Sequence, residues 1–145
     1  MHNKFLPVRK LNARALHDWM FNHCWDGDPT GQCCNTARFV ELVFGWPAIM
    51  GRYHAWNESP HSQHVLDLTV AQFGYEHGSQ LVHKNTEFDL GYTYATEPQK
   101  RLKLKTSAIA WARQLQQHIL DGVISGTQFG ISKCKLLERL AHICK

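Results

Sequence analysis

Residues 31–47 read GQCCNTARFVELVFGWP. The run before them, Trp25-Asp26-Gly27-Asp28-Pro29-Thr30-Gly31, is dense in turn formers. The spacing predicts a helix from about Gln32 to Gly45, because glycine followed by Trp46-Pro47 stops it. Cys33, Ala37, Val40 and Phe44 recur at helical intervals and share a face. Cys33 falls in the first turn. Helix starts carry partial positive charge and N–H groups without intrahelical partners, and both stabilise an anion. A thiol placed there ionises more readily, and the thiolate is the nucleophilic form. The Cys33 N–H is also available to hold an oxyanion. Ala37 is small and lets the helix approach a neighbouring sheet closely.

Downstream, Ala48 to Glu58 reads as one strand and His64 to Thr69 as another, with Ser59-Pro60-His61-Ser62 as the turn. A turn centred between Pro60 and His61 sets His54 opposite Asp67, Trp56 opposite Val65 and Arg52 opposite Thr69. Opposed residues share a face, with Cβ atoms about 4.5–5.5 Å apart. A carboxylate beside an imidazole fixes its tautomer and stabilises the imidazolium. A helix end thus supplies a nucleophile, Cys33, and a hairpin supplies a base, His54, with its orienter, Asp67. Cysteine catalysis requires this set of parts.

Plainer assignments stand beside these. His54 and Asp67 also suit a structural core pair, and Asp67 also suits a cap on the turn after Thr69. Asn57 lies on the strand face opposite His54, so it is assigned to bonding the turn. Gln32 is either an oxyanion contributor or a helix cap. Trp25 and Trp56 are cleft-wall candidates or core. Cys34 lies about 100° round the helix from Cys33 and is assigned to the core, with nucleophile as its alternative.

Around this centre, Asn12 is placed to cap a helix running to about His23, with Leu16, Trp19, Met20 and His23 on one face. Leu81 to Tyr94 is weakly patterned and holds one or two strands. Thr106 to Leu120 is predicted helical, burying Ala108, Trp111, Ala112, Leu115 and Ile119. Gly122 to Gly130 reads as loop. Ser132 caps a last helix that buries Leu136, Leu137, Leu140 and Ile143. The segment Gln99 to Lys105 is basic, but its alternating Leu102 and Leu104 fit an edge strand or helix lead-in better than a nucleic-acid arm. No repeat or linker interrupts the chain, so residues 1–145 are read as a single domain.

The chain has 145 residues, 43% of them apolar and 19% charged, enough to bury a core and unlike a disordered chain. No apolar run reaches the roughly 18–20 residues of a membrane helix. Met1 to Lys10 lacks the apolar stretch of a secretory signal, so a cytoplasmic location and no membrane partner are expected. The net charge of +4 is too small to mark a nucleic-acid binder. The cysteines are Cys24, Cys33, Cys34, Cys134 and Cys144, an odd number. A disulfide framework is not expected, and adjacent Cys33 and Cys34 are poorly placed to bridge each other. No C-x-x-C is present. His61-Ser62-Gln63-His64 is a weak metal motif, because both histidines flank a turn and no cysteine pair has ligand spacing. No metal and no cofactor are assigned.

Gly31-Gln32-Cys33, Ala37 and Gly45-Trp46-Pro47-Ala48 resemble the nucleophile segment of transglutaminase-like proteins. His54-Ala55-Trp56-Asn57-Glu58 and Asp67-Leu68-Thr69 resemble their histidine and aspartate strands. The small YunG-like group is a closer likeness. Trp25, Pro29 to Cys33, His54 to Asn57 and Asp67 to Phe73 are similar to its motif segments, so the likeness covers residues 25–73. The resemblance implies an α+β, papain-like fold, with a cysteine helix packed on a small antiparallel sheet and further C-terminal helices added. It also implies thiol-dependent amide chemistry. Two departures stand against cross-linking transglutaminase activity: His54 follows Cys33 by only 21 positions, and Cys34 stands where those enzymes carry Trp.

The combined expectation is a cysteine-dependent hydrolase or acyltransferase acting on an amide, peptide or thioester bond. Cys33, His54 and Asp67 would form its triad, and a protein or peptide would be its substrate. The alternative is a catalytically inactive member that serves as a binding or inhibitory module.

Overall fold

The structure, a computed structural model, describes residues 11–50, 54–59, 64–69, 82–84 and 106–145. Helix α1 spans Ala13–His23, and Asn12 caps it by accepting the Ala15 N–H at 3.0 Å. Its buried residues are Leu16, His17, Trp19 and Met20. His23, on the same face, is exposed in the last turn, with its ring against Trp19 and His118. His17 takes the inner position, its ring against Phe21 and Trp25 and its Nδ1 2.9 Å from Asp18 Oδ1.

The turn that follows reverses the chain through positive φ at Asp26, Gly27 and Gly31. Asp28 Oδ1 accepts the Thr30 N–H, and the Gln32 N–H reaches the Pro29 carbonyl. Helix α2 then spans Cys33–Phe44. Gly45, left-handed at φ +80°, ends it by donating its N–H to the Glu41 carbonyl. The Glu41 carboxylate also accepts the Ala48 N–H at 3.0 Å, which fixes how the chain leaves the helix.

The segment Ala48–Glu58 is not one strand. It divides into β1 (Ala48–Met50) and β2 (Ala55–Glu58), paired antiparallel with Met50 opposite Ala55 and Ala48 opposite Asn57. Strand β3 is His64–Leu66, shorter than expected, and β4 is Val82–Lys84. The sheet is antiparallel in the order β1-β2-β3-β4.

Helix α3 spans Thr106–Leu120 and α4 spans Lys133–Ile143, with Ser132 Oγ accepting the Lys135 N–H at the start of α4. The expected α3 stripe is buried throughout. On α4, Leu136 and Leu140 are fully buried, while Leu137 and Ile143 are half-buried. The expected loop before α4 contains a 3-10 helix, Gly126–Phe129, that buries Phe129.

Helix α2 is the hub, packing on β1 and β2 and also on α3 and α4. Its expected face divides between two clusters. Cys33, Cys34 and Ala37 meet Ala48 and Ala55 of the sheet, whereas Val40 and Phe44 join the helical core. The described residues thus form an α+β arrangement. Among them no helix is long and apolar enough to cross a membrane. Residues 99–105 and His61 lie outside the described residues, as does most of 81–94.

Candidate active site

Cys33 is the first residue of α2 and is half-buried. Gly31, at φ +76°, turns the chain into the helix. Gln32 occupies the cap position, but its side chain makes no capping bond. The first intrahelical bond runs from the Thr36 N–H to the Gln32 carbonyl at 2.9 Å. The amides ahead of it are those a helix leaves free of intrahelical partners. No acidic side chain occupies the first turn, so nothing there offsets the positive helix end.

His54 stands immediately before β2 and is buried. Its Nε2 lies 2.6 Å from Asp67 Oδ2, with both side chains nearly inaccessible to solvent. A carboxylate only accepts, so Nε2–H is the donor and Nδ1 is the nitrogen left to exchange a proton. Asp67 keeps a second contact, accepting from Thr69 Oγ1 at 3.4 Å on its other oxygen. Trp56 stacks on the His54 ring at 6.0 Å and 27°. Its indole N–H is held by Glu58 Oε2 at 2.9 Å.

The pair forms in a register other than the expected one. Asn57 faces Leu66 rather than His64, and Glu58 faces Val65, because the connection is centred one residue further along. The displacement in facing partner is two residues. An even shift keeps every side chain on its own face, so His54 and Asp67 still meet, diagonally rather than directly opposed.

Electrostatics link the pair to the cysteine. The Cys33 thiol is lowered from 9.0 to about 4 by a hydrogen bond from Cys34, against the opposing effect of burial, and by the His54 ring and the Ala55 N–H. For His54, burial disfavours the charged ring, yet hydrogen bonds to Asp67 and Cys33 and their negative charge outweigh it, raising the imidazole from 6.5 to about 9. Both shifts favour a thiolate beside an imidazolium. By contrast, burial among core side chains pushes the Cys24 and Cys144 thiols up. Cys134 is exposed on α4.

The remaining candidates divide. Trp56 is 1% exposed and supports the His54 ring instead of presenting an open wall. Trp25 is 3% exposed, packs in the helical core and donates its indole N–H to Thr36 Oγ1 at 3.0 Å. Among the described residues, the bonds of Asn57 run to α2 and Trp46. Its Nδ2 donates to the carbonyls of Ala37 and Trp46, each at 2.9 Å, and so ties β2 to the nucleophile helix. The signal for this role was a polar residue on the strand face shared with Ala55.

Among the described residues no three His, Cys, Asp or Glu side chains converge on a metal-holding position. The arrangement is chemically suited to forming a nucleophilic sulfur with a proton held beside it. No protein-family model, curated protein or solved structure matches this chain.

Proposed function

We propose that this chain is a cysteine-dependent hydrolase or acyltransferase of papain-like, transglutaminase-like architecture that acts on an amide, peptide or thioester carbonyl. The observation that carries this reading is the buried 2.6 Å bond from His54 to Asp67, beside a half-buried cysteine at a helix start that packs with Ala37 and Ala55, the latter next to His54 in sequence. In the proposed reaction the Cys33 thiolate attacks the carbonyl carbon. Amides at the start of α2, with the Gln32 side chain beside them, hold the oxyanion. The His54 imidazolium gives its proton to the leaving group and then takes one from the incoming water or amine. Asp67 keeps the ring in one tautomer throughout. A protein or peptide substrate fits the chemistry, and no cofactor enters any step.

The test is alkylation of Cys33 by iodoacetamide across pH, read by peptide mass spectrometry, together with capture of an acyl group from a small thioester. Native protein should alkylate at Cys33 well below the ordinary thiol range of about 8.5 and carry the acyl group there. His54→Ala should lose both properties. A native Cys33 that reacts no faster than in the urea-unfolded chain, and captures no acyl group, would leave the binding-module reading in its place.

A further inference from the structure

His54, Trp56 and Glu58 stand at alternate positions leading into and along β2, so their side chains share a face of the sheet. Trp56 is fully buried, and its Nε1–H donates to Glu58 Oε2 at 2.9 Å. Its indole plane lies 27° from the imidazole of His54, with the ring centroids 6.0 Å apart. Glu58 is half-buried at the end of β2. We propose that Glu58 is a positioning residue for His54, holding the Trp56 indole with its π face toward the imidazole. The proposal rests on the reading of His54 as the base that serves Cys33.

An indole has one polar hydrogen and seeks a partner for it when buried. The torsion that tilts an aromatic ring has broad minima, so a tryptophan sets its own tilt only loosely. A bond to Nε1, at the edge of the ring system, pins that tilt, because any swing carries Nε1 away from the carboxylate. The consequence for His54 is electrostatic. An aromatic face is electron-rich and its edge electron-poor. A face turned to an imidazole favours the charged ring, and an edge disfavours it. The hydrogen bond to a carboxylate also polarises the indole in the direction that strengthens this effect. Glu58 lies four positions from His54, about 13 Å along a strand, so its route to the imidazole is the indole. Two other titratable groups act on the same ring: Asp67, just past β3, and Cys33, at the start of α2. Asp67 fixes the tautomer through Nε2, whereas the indole acts on the plane and charge of the ring.

The experiment follows the His54 imidazole by NMR titration at about 0.1 M salt, where charges some 13 Å apart are largely screened. The proteins are native, Glu58→Leu, Glu58→Gln, Trp56→Phe and the double variant Trp56→Phe/Glu58→Leu. Glu58→Leu frees the indole tilt and should lower the His54 midpoint by about half a pH unit, part of an ordinary cation–π contribution. Glu58→Gln keeps an acceptor for the indole and should recover most of that shift. Trp56→Phe has no N–H to hold, so adding Glu58→Leu to it should move His54 no further. The proposal is overturned by a native midpoint in Glu58→Leu, by Glu58→Gln shifting as far as Glu58→Leu, or by the Glu58→Leu shift persisting in the Trp56→Phe background. If Trp56→Phe does not fold, the comparison of Glu58→Leu with Glu58→Gln decides alone. Alkylation of Cys33 against pH in native protein and His54→Ala separates the two readings. If His54→Ala leaves the Cys33 midpoint where native protein has it, the nucleophile–base reading fails and takes this proposal with it. If His54→Ala shifts that midpoint while Glu58→Leu leaves His54 unmoved, only the role of Glu58 is lost.

Discussion

Asn57 donates from Nδ2 to the main-chain carbonyl of Ala37 at 2.9 Å, which couples the middle of the sheet to the helix that carries Cys33. The same nitrogen reaches the Trp46 carbonyl, and Asn57 is only 2% exposed. Removing the donor leaves buried acceptors short of a partner. Asn57→Ala should cost about 2–3 kcal/mol in urea unfolding, the loss of two buried hydrogen bonds less some relaxation. A cost below about 0.5 kcal/mol, the range of ordinary surface changes, would mean that side-chain packing alone docks the helix.

Asp67 raises His54 through both a hydrogen bond and its negative charge. Asp67→Asn keeps the size and removes the charge. The imidazole of His54, followed by NMR titration, should then drop from about 9 toward or below its ordinary 6.5, because burial then opposes protonation with less to offset it. Alkylation of Cys33 at about pH 6, just under the free histidine value, should slow in step. An unchanged His54 titration would show that Asp67 is only a packing partner.

Gly31 enters the nucleophile helix at φ +76°, and among the described residues no atom beyond its chain neighbours lies within 4 Å of the position a Cβ would take. Steric room is therefore not the constraint; backbone conformation is. Gly31→Ala should destabilise by about 1–2 kcal/mol, the left-handed penalty for an L-residue. Gly31→Asn should cost less, since asparagine visits that region more readily. Equal unfolding midpoints for the two variants would remove the backbone explanation.

Stability should depend on pH through the Cys33–His54 pair. Cys33 is depressed from 9.0 to about 4, so its contribution is complete above the unfolded value and is lost as pH falls through about 4. His54 is raised from 6.5 to about 9, so its contribution is complete below 6.5 and is lost as pH rises through about 9. Together they give stability that climbs from about pH 4 to 6.5 and then holds to about 9, where the thiol's gain offsets the imidazole's loss. The difference in Tm between native protein and Cys33→Ser should widen over the climbing window. A constant difference across it would mean that Cys33 is not ionised in the folded chain.

Much of the helical frame was legible locally. Asn12, Ser132 and Gly45 end or begin helices through bonds made within a few residues, so capping chemistry located them. The α3 stripe was legible because a helix has a single period and a single buried side. The sheet was harder to read. Ala48–Glu58 carries strand propensity throughout, and propensity does not say where a strand folds back on itself. The β2–β3 register depended on where the connection closes, and Ser59 closes it against His64 one step beyond the expected centre.

Which residues begin α2 and which strand positions share a face could be read locally, because both follow from periods of 3.6 and 2. That is why Cys33, His54 and Asp67 could be singled out, and why a two-residue change of partner did not separate the last two. The distances and partners come from packing between elements: the 2.6 Å bond to Asp67, Trp56 stacked on His54, Trp25 in the core bonded to Thr36, and Asn57 reaching Ala37 and Trp46. All but the Trp56–His54 stack join residues 11 or more positions apart in sequence. They depend on how closely the small residues at the start of α2 settle on the sheet, and no local pattern encodes that depth.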